Sequence, residues 1–106
     1  RGVNLYYLSH QVTKNINMKP RQQLALMDKI IRELDDLRNS QTSVLKKISQ
    51  IEADNINLGS HLLNDGLPGI HEEVDDAVNK ITALIEPFTD YRNEFERENP
   101  VSEEEE

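Results

Sequence analysis

Three histidines, one run of carboxylates and two polar residues inside an apolar repeat are the side chains of this 106-residue chain that invite a chemical reading. His10, His61 and His71 are the only imidazoles, and His71-Glu72-Glu73 opens like a zinc-protease helix. That motif needs a second histidine four residues after the first, so that two ligands share one helix face. Position 75 is Asp75, and the pattern fails there. Glu72, Glu73, Asp75 and Asp76 lack the alternating oxygen ligands around a central glycine that a calcium loop requires. The expectation for these four is structural: carboxylates in the first turn of a helix stabilise it through the macrodipole by roughly 0.3–1 kcal/mol each. There is no glycine-rich phosphate loop, no G-x-S-x-G elbow and no cysteine nucleophile. No catalytic, metal or cofactor site is therefore expected, and no enzymatic activity.

Composition narrows the classes further. Charged residues make up 30% of the chain and aromatics only 5%, with no tryptophan, which suits helices zipped along a narrow seam better than a compact globule. Residues 1–50 carry nine Lys/Arg against four Asp/Glu, whereas residues 51–106 carry three against sixteen. Such an acidic half would be repelled by phosphates, and the basic half is interspersed with acids, so no nucleic acid is expected as a partner. No apolar run approaches the roughly 18 residues that span a bilayer, so direct membrane insertion is not expected either. The chain opens on Arg1 rather than a methionine, as expected of a fragment or a processed product.

The elements follow from spacing. Leu5, Leu8, Val12 and Ile16 predict a short N-terminal helix within residues 1–19, which Pro20 separates from the rest of the chain. From there Met27, Ile30, Leu34, Leu37, Gln41, Val44, Ile48, Ile51, Asn55, Leu58 and Leu62 step 3, 4, 3, 4 without a slip. That is a heptad repeat, with Met27, Leu34, Gln41, Ile48, Asn55 and Leu62 at a and the others at d. A long coiled-coil helix over 20–65 is predicted. Leu24, Ile31 and Leu45 widen the stripe at e, more than a two-stranded zipper needs. The breakers Gly66, Pro68 and Gly69 predict a turn or hinge at 66–69. A second, shorter heptad helix comes next, over 70–98, with Val74, Ile81, Phe88 and Phe95 at a and Ile70, Ala77, Leu84 and Tyr91 at d; the same spacing starts at Leu67 in the turn. Val78 and Ile85 widen it at e, and Pro87 at g is expected to kink it. The acidic tail over 99–106 reads as disordered.

An all-α architecture results, either a helical hairpin or an extended broken rod. In both, the a and d residues of the two long segments, from Met27 to Leu62 and from Ile70 to Phe95, are the expected partner interface. Gln41 and Asn55 admit two readings: wet gaps in the seam, or buried amides that fix register and strand number.

Within the long helix, the stretch Leu37-Arg38-Asn39-Ser40-Gln41-Thr42-Ser43-Val44-Leu45-Lys46-Lys47-Ile48 resembles the L-R-x-S-Q segment and its spaced aliphatics in the snapin/pallidin-like subunits of the complex for biogenesis of lysosome-related organelles. The resemblance implies a non-catalytic coiled-coil subunit that assembles with other coiled-coil chains into a hetero-oligomer. It also implies a cytoplasmic protein recruited to endosomal or lysosomal membranes and serving vesicle trafficking. The alternatives are a subunit of a kinetochore or microtubule-attachment complex, and a SNARE-like helical module with Gln41 as its polar layer.

Overall fold

The computed structural model describes residues 18–100, in which two helices, α1 (Pro20–Leu58) and α2 (His61–Glu98), form an antiparallel hairpin. The helix expected before Pro20 and the tail beyond Pro100 lie outside the described residues. α1 starts where a proline costs least, because the first-turn N–H groups have no intrahelical partner. Gln22 Oε1 reaches back to accept the Lys19 N–H at 2.9 Å, and Gln23 Nε2 donates to the Met18 carbonyl at 2.8 Å. No Gly or Pro interrupts the remaining 38 residues of the helix.

α1 ends at Gly59, whose backbone takes φ 73° and ψ 32°. This left-handed conformation costs a residue with a Cβ roughly 1–2 kcal/mol and costs glycine little. The Gly59 N–H donates to the Asn55 carbonyl at 2.6 Å, and Ser60 at once caps α2, its Oγ accepting the Leu63 N–H at 3.3 Å. Two residues make the whole connection.

The break expected at 66–69 is therefore displaced. Gly66, Pro68 and Gly69 all lie inside α2, which also runs through Pro87 without interruption. Glycine permits a break without requiring one, and an interior proline removes one hydrogen bond and crowds the carbonyl four residues back, which bends a helix without having to end it. At 59–60 a left-handed glycine, a serine N-cap and the Asn55 side chain act together, which the 66–69 cluster cannot match. The second helix is also not the shorter one: 38 residues face 39. α2 can cover α1 along its entire length.

Register is read from two polar side-chain bridges at opposite ends. Glu52 meets His71 near the turn, and Asp28 meets Arg92 near the open end. Carried through the heptads, these put Asn55 level with Leu67, Ile48 with Val74, Gln41 with Ile81, Leu34 with Phe88 and Met27 with Phe95. The residues turned inward on α1 are those at a and e: Leu24, Met27, Ile48 and Asn55 are buried, and Ile31, Leu34, Arg38, Gln41, Leu45 and Glu52 half-buried. On α2 the same two positions face inward, from Leu67 through Val78, Ile81 and Ile85 to Phe95. The a/d seam expected from sequence is thus an a/e seam within the chain. It is thin, for no described side chain is wholly enclosed.

The glycines test where the chain turns. Gly66→Ala and Gly69→Ala should each stabilise the fold by about 0.5–1 kcal/mol, since both are helical and a Cβ at either meets nothing within 4 Å. Gly59→Ala should destabilise it by about 1–2 kcal/mol, because its φ disfavours any side chain. Urea unfolding followed by circular dichroism reads both signs, and the opposite pattern would put the turn at 66–69.

Candidate functional site

With a and e consumed inside the hairpin, the d residues are left over. Leu37, Val44 and Ile51 on α1 and Ile70, Leu84 and Tyr91 on α2 are between 38% and 58% exposed, and Leu58 reaches 74%. Ile30 and Ala77 continue the two stripes half-buried. Both stripes lie on one side of the molecule. A two-fold rotation normal to the hairpin plane carries α1 approximately onto α2, and such a rotation keeps each face of the plane on its own side. Since d is offset from the a/e seam in the same sense on both helices, both d stripes point through the same face. The register puts Ile51 level with Ile70, Val44 with Ala77, Leu37 with Leu84 and Ile30 with Tyr91. The result is one apolar strip as long as the hairpin. Phe88 and Tyr91 stack near its open end with ring centroids 6.0 Å apart.

The opposite edge, lined by e, is finished with polar pairs. His71 Nδ1 lies 3.0 Å from Glu52 Oε1, and an ionised carboxylate only accepts, so the imidazole donates. Arg92 Nε donates to Asp28 Oδ1 at 2.7 Å, while its Nη1 donates to Glu96 Oε1 at 2.6 Å. Its hydrogen bond to the Asp28 carboxylate raises the Arg92 pKa above its ordinary value, against a smaller opposing effect of burial. Arg92 therefore stays charged throughout, and its clamp holds whenever Asp28 is ionised. One edge of the hairpin is bridged by polar side chains near both ends; the other is apolar along its length.

Asn55 governs the turn. At 5% exposure it is the one buried polar side chain among the described residues. Its Oδ1 accepts the Ser60 N–H at 2.8 Å, and its Nδ2 donates to Asn64 Oδ1 at 2.8 Å and to the Ser60 carbonyl at 3.3 Å. A single amide thus joins the last turn of α1 to the first of α2. Beside it, on the e side, Ala53, Ile56, Leu63 and Pro68 line an open cleft of about 410 Å³. Ile56, Leu58 and Leu62 leave the tip of the hairpin strongly apolar.

The residues expected at a partner interface consequently separate. Met27, Leu34, Gln41, Ile48 and Asn55 are taken up by the chain's own seam, as are Val74, Ile81, Phe88 and Phe95. Ile30, Leu37, Val44, Ile51, Leu58, Ile70, Leu84 and Tyr91 form the outward strip, and Leu62 stands on the tip. The apolar e residues Leu24, Ile31, Leu45, Val78 and Ile85 were the signal for this division. A stripe three positions wide is wider than the one seam a two-helix hairpin uses. The macrodipole reading of Glu72, Glu73, Asp75 and Asp76 does not hold, because α2 starts at His61 and the effect fades within one turn. Among the described residues no three His, Cys, Asp or Glu side chains are grouped as a metal site needs, and no helix is long and apolar enough to cross a membrane. Comparison with protein-family models, curated proteins and solved structures finds no match to this chain.

The two polar a residues should behave oppositely. Asn55→Leu removes three hydrogen bonds and orphans the Ser60 N–H, so it should cost about 1–3 kcal/mol. Gln41 is half-buried with no comparable bonds among the described residues, so Gln41→Leu should add about 1 kcal/mol. Thermal unfolding of the two variants decides the matter: a stabilising Asn55→Leu would show that the amide is only a wet gap.

Proposed function

We propose that this chain is a non-catalytic structural subunit, a helical hairpin whose exposed d strip seats the helices of partner chains in a hetero-oligomeric complex. The observation that carries this reading is the placement of both d stripes on one face. Single exposed leucines are ordinary, but a continuous apolar strip along a whole hairpin is a signature of an interaction surface. A thin two-helix seam also supports it, since a small two-helix unit buries too little to be robust alone. Burying each half-exposed Leu, Ile or Val of the strip would contribute on the order of 1 kcal/mol, which summed over the strip suits a micromolar or tighter association.

The snapin/pallidin-like stretch supports a more specific assignment. Leu37 and Val44, two of its spaced aliphatics, lie on the outward strip, while Arg38, Gln41, Leu45 and Ile48 lie toward the seam. We assign the chain on that basis to a cytoplasmic assembly recruited to endosomal or lysosomal membranes by what it binds. The acidic α2, with ten carboxylates against three basic side chains, favours partners with basic rims.

Affinity purification of the tagged chain, with the co-purifying proteins identified by mass, tests this. Small helical proteins should be recovered. The double variant Leu37→Asp/Leu84→Asp should lower their recovery at least tenfold, because it puts unpaired charge into the strip. Lys46→Asp, on the exposed outer face, should leave recovery unchanged. Equal recovery with all three proteins would mean that the strip is not the interface.

A further inference from the structure

The d strip raises the question of which chain first covers it. Residues 1–17 cannot do so alone: even as a continuous helix they reach only ~26 Å, against ~58 Å for α1. Two helices side by side present a face about 20 Å wide, so the strip and its rims offer on the order of 1,100 Å². That exceeds the ~800 Å² per partner typical of a stable protein pair. The size fits another hairpin rather than a single helix.

Charge then selects among hairpins. Outside the d strip run the g residues, which would flank any second layer. On α1 they are Leu26, Glu33, Ser40, Lys47 and Asp54; on α2 they are Glu73, Lys80, Pro87 and Glu94. α1 is balanced, with six basic and six acidic side chains, whereas α2 carries three and ten. Stacking two hairpins so that α2 meets α2 would oppose two acidic helices and set Lys80 against Lys80. Rotating the second copy about the long axis of the hairpin avoids both. α1 of each copy then lies over α2 of the other, antiparallel to it, with both turns at the same end. Because that rotation preserves height, the register within one hairpin also gives the levels between copies. Lys47 falls level with Glu73 of the other copy, and symmetry repeats the pair. Ser40 meets Lys80, Glu33 meets Pro87, and no like charges at g face each other.

We propose that the d strip is covered by a second copy of this chain, forming a two-fold, four-helix bundle in which Lys47 of each copy pairs with Glu73 of the other. The inference rests on the reading of the d strip as an interface, and it names that interface's first occupant.

Sedimentation equilibrium on the purified full chain at low ionic strength, with helix content followed by circular dichroism, should give a dimer. Lys47→Glu or Glu73→Lys alone should weaken it about five- to tenfold, and the two together should restore it to within about threefold. The chain has no cysteine, so Lys47→Cys/Glu73→Cys provides a clean cross-link. The two positions lie on opposite outer edges of one hairpin, ~20 Å apart, too far for a disulfide within a chain. Oxidation should therefore yield covalent dimers. A monomer up to about 100 µM would overturn the proposal, as would a dimer cross-linked through Glu33→Cys/Lys47→Cys instead, the pairing expected of the rejected stacking. A monomer that still captures helical partners through the strip would sink only this inference. A dimer that captures none would uphold it and sink the hetero-oligomeric function.

Discussion

The hairpin depends on a connection of two residues. Gly59 turns the chain back in a conformation that glycine alone adopts cheaply, and the Asn55 amide bonds across it to Ser60 and Asn64. A link this short leaves no slack, so the position of the turn sets the register of everything below it. Slide α2 by one residue and the a and e residues would no longer meet. Because the register holds along the full length, polar bridges form at both ends, Glu52 with His71 and Asp28 with Arg92.

That register divides the apolar surface unequally. Each helix carries a stripe three heptad positions wide, but a two-helix seam consumes only two of them. The a and e residues close the hairpin, and the d residues remain outside. Polar pairs terminate the e edge, where Glu52, His71, Asp28 and Arg92 satisfy one another. No such pairing terminates the d edge, whose Leu37, Val44, Ile51, Ile70 and Leu84 have only water to face. The d edge differs in that its apolar residues run unbridged along the whole hairpin, which marks it as an interaction surface. A four-helix bundle is the simplest structure in which a, d and e are all used: a and d fill the centre, e lines one pair of edges and g the other.

Charge adds direction to this geometry. α2 is strongly acidic and α1 is balanced, so the strip discriminates between helices laid over it in different orders. Lys47 and Glu73 flank it near the turn, where complementary rims would align an incoming layer. In the proposed bundle, affinity for that layer would come from the aliphatic strip and orientation from the rims.

The sequence by itself determined the all-α class, the heptad register and the a, d and e membership of the apolar residues between Met27 and Phe95. These properties are local, fixed by 3.6-residue periodicity and by the scarcity of Gly and Pro between 20 and 58. It did not determine where the chain turns. Gly66, Pro68 and Gly69 look like the stronger break, yet a helix tolerates such residues when its packing along the whole length is worth more than the local penalty. Nor did it determine that a would pair with e rather than with d, since all three positions are apolar and spacing alone cannot rank them. Asn55 shows the limit most clearly. As a letter at position a it looks like a flaw in the seam, and only the return of the chain after Gly59 brings Ser60 and Asn64 within its reach. Tertiary structure decided these points because each depends on which surfaces meet, and that depends on the fold as a whole.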